Sequence, residues 1–327
     1  MSSKQFFQKN GLLWVIVVAA CATPGPYTER SFVFKTEAKV PAGSTRSAPM
    51  DLWIPVPPSN GFQDAGEPTW ELSNVGFETG LNVEVTEREG NRMIHLAIPR
   101  SPHAGDLVIK VQTPVTRFAL NRDGRPDGSG QADPAALLGP DRLVPVTGPV
   151  ADLAREVPRR SDPFDAGRGI FEAVREHMKY DKSDTGWGRG DATRACEVGS
   201  GNCTDYHALF VGMARSLGLP ARFTIGYPLP REDGTAVLSG YHCWAEYYVE
   251  GRGWIAVDVS EADKVGNEDT TFFSKVPTNR VALTSGRDLY LSPSQQGPPL
   301  NFFIYPYVEL GGRPFEGFSF AVHVKDG

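Results

Sequence analysis

Hydrophobic and polar residues alternate along much of the N-terminal third of the chain. The alternation covers residues 31–40, 50–56, 81–87, 92–98 and 106–118. A period of two residues is typical of β-strands that bury one face. Segments rich in Pro, Gly and Asn, such as 41–43 and 89–91, separate them as turns. The pattern predicts a β-sandwich-like domain over residues 21–120.

The pattern then changes to a helical one. Residues 121–134 are rich in Gly, Pro and Asp, which predicts a linker before a second region, 135–327, that ends in a C-terminal β extension. After Cys203 the apolar residues recur at steps of three and four, up to the stop signal Gly218. These positions are Tyr206, Leu209, Phe210, Met213, Ala214 and Leu217. The spacing predicts a helix with one buried face that begins at Cys203.

A β-hairpin is predicted further along the chain. Aromatic and β-branched residues fill 241–249 and 254–258, on either side of the Gly-containing turn 250–253. His242 lies near the start of this hairpin and Asp258 near its end. Their separation, 258 − 242 = 16, is even, which places both on compatible faces. A four-residue turn would leave them a few residues out of register, so a bulge or a strong twist is expected to close the gap.

Cys203 lies where a glycine turn meets the predicted helix. Free backbone N–H groups and the positive end of the helix dipole favour an anion there, which lowers the pKa of a thiol. With His242 as base and Asp258 as orienting carboxylate, Cys203 is a candidate nucleophile. The alternative interpretation is a buried structural cysteine, because free cysteines are among the most buried residues.

Four motifs resemble the core of the transglutaminase-like superfamily, a branch of the papain-related cysteine enzymes. The matching segments are 201–203 (G-x-C), 215–222 (R-x-x-G-L-P-A-R), 242–244 (H-x-W) and 253–258 (G-W-x-x-x-D). One departure is Val259-Ser260, where the family usually has Pro-Thr; it leaves the three candidate residues intact.

The resemblance implies an α+β, papain-like fold in which the Cys helix packs on an antiparallel sheet. It also implies that Cys203 is the nucleophile, His242 the base and Asp258 the orienting acid. In such folds a side chain upstream of the nucleophile helps to hold the oxyanion. Trp187 and Asn202 are the candidates, beside the backbone N–H of Cys203, although Trp187 also fits a core or lip position.

Several neighbouring residues have other interpretations. Asp205 is interpreted as compensating the helix dipole, and His207 as a packed or surface histidine. Cys196 and Cys243 could pair with each other, could stay free, or Cys196 could pair with Cys203 as a redox switch.

A zinc site is the rival chemistry. It would use Cys196, Cys203, His207 and His242, but the chain has none of the Cys-x-x-Cys pairs of structural zinc sites. No calcium-type carboxylate loop is visible either. We expect no metal and no cofactor.

Residues 1–20 have the features of a signal peptide, with Lys4 and Lys9 before a short apolar run. Residues 18–21 resemble the bacterial lipobox, which implies that Cys21 carries lipid and anchors the protein outside the cytoplasm, in the bacterial cell envelope. An ordinary signal peptide cleaved near Ala20 or Ala22 is the alternative. The net charge of −6 argues against a nucleic-acid partner.

Together these features predict cysteine-dependent acyl transfer at amide or peptide bonds through a thioester. The expected partner is a protein or peptide substrate. A peptidase- or amidase-type hydrolase of the cell envelope is the favoured function. The alternatives are transglutaminase-type cross-linking and a non-catalytic module that binds a peptide or an envelope partner. The N-terminal β domain would serve packing or substrate presentation.

Overall fold

The structure is a computed structural model, and it describes residues 29–73, 81–100, 105–119, 133–231, 234–266 and 272–327. The predicted signal peptide, the predicted lipidation site Cys21 and nearly all of the predicted linker 121–134 lie outside the described residues. Predictions on those segments therefore stay predictions.

The described residues form strands and helices of ordinary length. The strands are β1 Glu29–Val40, β2 Met50–Val56, β3 Gln63–Ala65, β4 Thr69–Ser73, β5 Asn82–Arg88, β6 Asn91–Ile98, β7 Leu107–Phe118, β8 Lys179–Tyr180, β9 Ser200–Gly201, β10 Ala221–Pro228, β11 Thr235–Val237, β12 His242–Val249, β13 Gly253–Val257, β14 Arg280–Ser285, β15 Tyr307–Leu310, β16 Arg313–Pro314 and β17 Ser319–Asp326. The helices are α1 Pro149–Glu156, α2 Pro163–His177, α3 Ala192–Val198, α4 Cys203–Ser216 and α5 Val259–Val265. Within the described part of the chain, no helix is both long enough and apolar enough to span a membrane.

The N-terminal region is β-rich, as the alternating pattern predicts. Each of the five predicted strands is present, with its ends within two residues of the prediction. One antiparallel sheet has the order β11-β17-β1-β7-β3, with β4 also paired to β7, and a second has the order β16-β15-β2-β6-β5. The short strands β3 and β4 were not predicted.

The C-terminal strands are divided between sheets. The prediction placed them in a C-terminal β extension of the region 135–327, where they would extend its sheet or lie on it. Only β14 joins the sheet that carries the predicted catalytic histidine. β15 pairs with β2, and β17 pairs with β1 along eight residues, Phe32 opposite Asp326 through Lys39 opposite Ser319. Residues late in the chain therefore complete the N-terminal sheets.

One face of β1 contributes to two hydrophobic cores. Phe32 and Phe34 pack into the core around α4, whereas Ala38 and Val40 pack into the core that β1 and β7 share with β2 and β6. All four side chains are at most 2% exposed. The first sheet thus joins the N-terminal β region to the region around α4 through continuous apolar packing, which fixes the two regions against each other.

The predicted catalytic region contains a four-stranded antiparallel sheet, in the order β13-β12-β10-β14, with α4 packed against it. The prediction of a single buried face for α4 is wrong, since residues 203–215 are all buried. The sheet covers one side of the helix, and α1, α2 and α3 cover the other. Gly212 permits the close approach of α1, because a Cβ there would lie 2.9 Å from Val150 Cγ1.

Candidate active site

Cys203 is the first residue of α4, as predicted, and it is only 3% exposed. The preceding Asn202 caps the helix, and its Oδ1 accepts a hydrogen bond from the Thr204 N–H at 3.0 Å. In return the Asn202 N–H donates to Asp205 Oδ2 at 3.0 Å. This reciprocal capping box fixes the turn that carries the sulfur. The N–H of Cys203 lies in the first turn, where backbone donors have no intrahelical acceptor.

Asp205 has a larger role than compensating the helix dipole. Its carboxylate also accepts the Gly188 N–H at 2.7 Å and the Gly190 N–H at 3.1 Å. Both glycines have positive φ angles, 83° and 63°, which other residues rarely adopt. The side chain is fully buried. Asp205 therefore holds the loop before the nucleophile against the start of α4.

Two residues from the C-terminal part of the chain hold the same loop from its other side. The Arg287 guanidinium donates through Nη2 to the Gly190 carbonyl at 3.0 Å and to the Arg189 carbonyl at 3.2 Å. Asn301 Nδ2 donates to the Arg189 carbonyl at 2.8 Å. The sequence had given no functional role to residues beyond 261, because these contacts join segments about a hundred residues apart.

His242 and Asp258 are brought together as predicted. The Nε2–H of His242 donates to Asp258 Oδ2 at 2.6 Å, and both side chains are buried. Since Nε2 is engaged with Asp258, Nδ1 is the ring nitrogen left for Cys203. The His242 imidazole is close enough to the Cys203 sulfur to lower the pKa of this thiol.

The predicted register gap exists, but no bulge closes it within the paired part of the hairpin. Ala245 lies opposite Val257, so Asp258 falls opposite Trp244, two residues from His242 on the same face. Side chains at diagonal positions of a twisted hairpin are within reach of each other. The chain also leaves β13 at Asp258 and enters α5, which frees this residue to turn toward His242.

Asp258 is held by the first turn of α5. Its Oδ1 accepts the Ser260 hydroxyl at 3.1 Å and the Glu261 N–H at 3.2 Å. The departure from the family pattern at Val259-Ser260 therefore keeps a hydroxyl donor on the carboxylate. With three hydrogen bonds, the buried carboxylate is oriented and remains ionised.

The electrostatics favour a thiolate–imidazolium pair. Burial is the largest influence and would lower the pKa of His242, but the charge and the hydrogen bond of Asp258, with a smaller effect of Cys203, together raise this pKa to about 9. Burial would raise the pKa of Asp258, yet His242 holds it well below its usual range. The pKa of Cys203 lies well below its usual range, first because of a hydrogen bond from Cys243, against the effect of burial, and then because of His242. The arrangement can therefore supply a nucleophilic sulfur and a proton donor at neutral pH.

Comparison with known proteins agrees with this geometry. Residues 151–259 match the model of the transglutaminase-like superfamily, and the matched segment contains all three residues. This segment belongs to the transglutaminase-like superfamily. An uncharacterized protein of Haemophilus influenzae is 28% identical over 323 residues, which cover 86% of this chain and 85% of the relative. An uncharacterized protein of Mycobacterium leprae is 28% identical over 157 residues, 46% of this chain and 50% of the relative.

A crystal structure shares the overall fold. The protein, a candidate cysteine protease from Cytophaga hutchinsonii, superposes with a TM-score of 0.57 over 92% of this chain and 91% of its own. The identity is 13%, so the likeness concerns the fold alone.

The two oxyanion candidates of the transglutaminase-like core have different surroundings. Asn202 uses Oδ1 for the helix cap, and its Nδ2 donates one hydrogen to the Tyr241 hydroxyl at 3.2 Å, which leaves one amide hydrogen. Trp187 is 37% exposed on the loop before the nucleophile, where its ring contacts Lys182. Neither position decides an oxyanion role, which stays a prediction for both residues.

Two buried residues next to the triad had no predicted role in it. His207 lies one turn after Cys203 on α4, and its Nε2 accepts the Val259 N–H at 3.0 Å. Its Nδ1 lies 3.6 Å from Cys243 Sγ. The interpretation of His207 as a packed histidine is correct as far as burial goes. Its four-residue spacing from Cys203 was the signal for a role beside the nucleophile.

The cysteines of the described part of the chain are all free. Cys196 donates to the Pro149 carbonyl at 3.5 Å, so neither the Cys196–Cys243 bridge nor a Cys196–Cys203 bridge is formed. Of the residues that the structure describes, no group of three or more His, Cys, Asp and Glu side chains is placed to hold a metal ion.

Proposed function

We propose that this protein is a cysteine hydrolase that transfers an acyl group from an amide or peptide bond to water through a Cys203 thioester. One observation carries the proposal: the buried 2.6 Å hydrogen bond between His242 and Asp258, on an imidazole that lowers the pKa of a thiol at a helix N-terminus. A structural cysteine needs no such histidine, and a binding cleft needs no such carboxylate.

The proposed reaction has two steps. The Cys203 thiolate attacks the carbonyl carbon, and the negative oxygen that forms faces the Cys203 N–H and a second donor, Trp187 or Asn202. The C–N bond then breaks, and the His242 imidazolium gives its proton to the leaving amine. In the second step neutral His242 takes a proton from water, the hydroxide attacks the thioester, and the acid leaves as the Cys203 thiolate is restored.

Asp258 orients the imidazole throughout both steps. Its hydrogen bond to Nε2 keeps Nδ1 directed at the sulfur and stabilises the positive charge when His242 is protonated. The Asp205 carboxylate and the Arg287 guanidinium have an indirect role. They hold the loop that precedes Cys203 through hydrogen bonds to Gly188 and Gly190.

The proposal includes the setting of the enzyme. The substrate class is a protein or peptide of the bacterial cell envelope, and lipid on Cys21 anchors the enzyme to the membrane outside the cytoplasm. The N-terminal strands form a β-sandwich that presents substrate to the cleft. In detergent phase separation, wild type should enter the detergent phase and Cys21→Ser the aqueous phase; wild type in the aqueous phase would contradict the anchor.

The nucleophile is tested by alkylation with iodoacetamide at pH 7, read cysteine by cysteine with peptide mass spectrometry. Cys203 should react much faster than Cys196, whose pKa is raised by burial and by nearby acidic residues. His242→Ala should slow Cys203 and leave Cys196 unchanged. Equal, slow rates at both cysteines would favour the binding module.

The acceptor is tested with a bacterial envelope-protein extract and a fluorescent primary amine. Hydrolysis predicts new protein fragments with wild type that are absent with Cys203→Ala and present with the matched control Cys196→Ala. Fluorescent protein without fragments would instead identify the amine as acceptor and the protein as a cross-linking enzyme.

A further inference from the structure

Two exposed aromatic side chains from the C-terminal part of the chain are in contact with each other. Tyr305 is 36% exposed and Phe320 is 40% exposed, and their ring centroids lie 5.2 Å apart. Among the exposed aromatic residues of the described ranges, no other two are in ring contact. A single exposed apolar residue is ordinary on a protein surface, but two in contact form an apolar patch that is costly to hydrate.

This patch is continuous with the candidate active site through Tyr241. The ring centroids of Tyr305 and Tyr241 lie 6.5 Å apart. The Tyr241 hydroxyl lies 3.2 Å from Asn202 Nδ2 and 3.3 Å from Thr204 Oγ1, and these two residues flank the nucleophile in the chain. The rings of Tyr241, Tyr305 and Phe320 are called the aromatic strip below. The strip therefore begins beside the nucleophile and leads away from it.

Neighbouring rings hold both ends of the strip in place. Tyr241 contacts Phe302, which in turn contacts Phe223, a side chain with no exposed surface. At the other end Phe320 contacts Phe318, which packs against the core of the two N-terminal sheets. Because these rings are fixed before a ligand arrives, little side-chain entropy is lost when one binds.

The spacing of the rings fits an extended peptide. Alternate side chains of an extended chain lie on the same face, about 6.6 Å apart, since each residue rises about 3.3 Å. The steps of 6.5 Å and 5.2 Å along the strip are close to this distance. The ring planes are tilted by 71° and 37°, so the strip is a stepped surface of ring edges and faces. Such a surface suits separate apolar side chains better than one flat ring system.

We propose that the aromatic strip is a substrate subsite that selects extended peptide segments with large apolar side chains at alternate positions. The inference rests on the proposed function, because the subsite lies beside the Cys203 nucleophile. Tyr305 and Phe320 bind the substrate and take no part in bond breaking. Segments of this pattern are mostly buried in folded proteins, so the preferred substrate is an unfolded or flexible polypeptide.

The first test is peptide binding to Cys203→Ala, which cannot turn the peptide over, by isothermal titration calorimetry. Three capped heptapeptides are the probes. One alternates serine with three phenylalanines, one has the three phenylalanines in a single block, and one contains serine alone. The alternating peptide should bind about tenfold more tightly than the block, because more of its rings reach the strip, and the serine peptide should bind weakest. Equal affinities for the three peptides would overturn the subsite.

Substitutions in the same Cys203→Ala background locate the binding. Tyr305→Ala and Phe320→Ala should each weaken the alternating peptide about tenfold. Tyr305→Phe and Phe320→Tyr keep the rings and should retain the affinity. Tyr290→Ala and Trp70→Ala are the matched controls, because these exposed aromatic residues lie outside the strip. Undiminished binding in both alanine variants of the strip would overturn the proposal. The comparison of the three peptides decides the case of a variant that does not fold.

A second test connects the strip to the nucleophile. In wild type the alternating peptide should slow the alkylation of Cys203 by iodoacetamide and leave that of Cys196 unchanged, because a peptide on the strip covers the Cys203 sulfur. Peptide binding without protection of a reactive Cys203 would overturn the subsite. A reactive Cys203 without selective peptide binding would also overturn it, and would leave the proposed function standing. Selective binding to the strip in a protein whose Cys203 is unreactive would support the strip as a peptide site and overturn the hydrolase.

Discussion

Arg287 donates a hydrogen bond to the backbone carbonyl of Gly190 at 3.0 Å, across 97 residues of sequence. Gly190 in turn donates its N–H to Asp205, the third residue of the nucleophile helix. The loop before Cys203 is thus held between a buried cation and a buried anion. This relationship connects the C-terminal part of the chain to the candidate active site.

Replacement of Arg287 by Lys should loosen this loop. A lysine has no planar fork to reach Gly190, Arg189 and Asn301 together, so we expect a loss of about 1–3 kcal/mol in the free energy of unfolding. Hydrogen exchange at the Gly188 and Gly190 amides should become faster. Arg142→Lys is the control, since that side chain is exposed and pairs with Asp288. Unchanged exchange at both glycines would contradict the role of Arg287.

Asp258→Asn should change the titration of His242. Without the carboxylate, burial is unopposed, so the pKa of His242 should fall from about 9 to the ordinary value of 6.5 or below. The midpoint of Cys203 alkylation should rise, because the imidazolium that stabilises the thiolate is lost. Proton NMR of the His242 ring measures the first effect. Asp152→Asn, which breaks an exposed pair with Arg155, should change neither. A His242 pKa still near 9 in Asp258→Asn would show that another group sets it.

The His242–Asp258 pair should also make stability depend on pH. His242 binds its proton more tightly in the folded chain, so its contribution is complete below about pH 6.5 and is lost as the pH rises through about 9. In wild type the Cys203 thiol, whose pKa is lowered in the folded chain, loses its proton on folding, and this release offsets the uptake by His242. Cys203→Ala removes the offset. The melting temperature of this variant should therefore decrease as the pH rises from about 6.5 to about 9.

The double variant Cys203→Ala, Asp258→Asn is the control for that measurement. The melting temperature of the double variant should change less with pH over the same range, because His242 no longer gains a proton on folding. A parallel decline in both variants would assign the pH dependence to other groups.

Gly226 lies opposite His242 in the pairing of β10 with β12, where β10 also changes register against β14. A Cβ at this position would lie 1.7 Å from the Val281 carbonyl oxygen. Gly226→Ala should therefore push β14 away and destabilise the fold by about 3 kcal/mol or more, at the upper end for single substitutions. Gly139→Ala is the control, because nothing lies within 4 Å of its added Cβ. Equal denaturation midpoints for the two variants would contradict this packing.

The sequence predicted the parts of the site that depend on local pattern. Cys203 begins a helix and His242 begins a strand because short-range periodicity determines both. The contact between His242 and Asp258 was predicted, but how the two-residue offset is overcome was not. The side chains meet diagonally across the hairpin, and the chain turns into α5 at Asp258. No local pattern indicates where a side chain finds a partner after folding, so the carboxylate of Asp205 was assigned to the helix dipole alone.

Long-range pairing was the part that the sequence could not supply. β15 and β17 alternate like other strands that bury one face. This alternation does not identify β2 as the partner of β15 or β1 as the partner of β17. The contacts of Arg287 and Asn301 were missed for the same reason. Cys243 was noticed as a cysteine next to His242, but its contact with His207 depends on how β12 packs against α4.

The pairing of β1 with β17 has a consequence for the order of events in folding. Arg30 and Asp326 form a two-pronged ion pair at 2.8 Å, and 296 residues separate them. Closing so long a loop reduces the entropy of the chain before the contacts between the two strands can form. The pairing of β1 with β17 should therefore come late in folding and limit the refolding rate. Until β17 arrives, one edge of β1 is unpaired and open to strands from other chains. A nascent or refolding molecule is therefore most prone to aggregate just before its final strand docks.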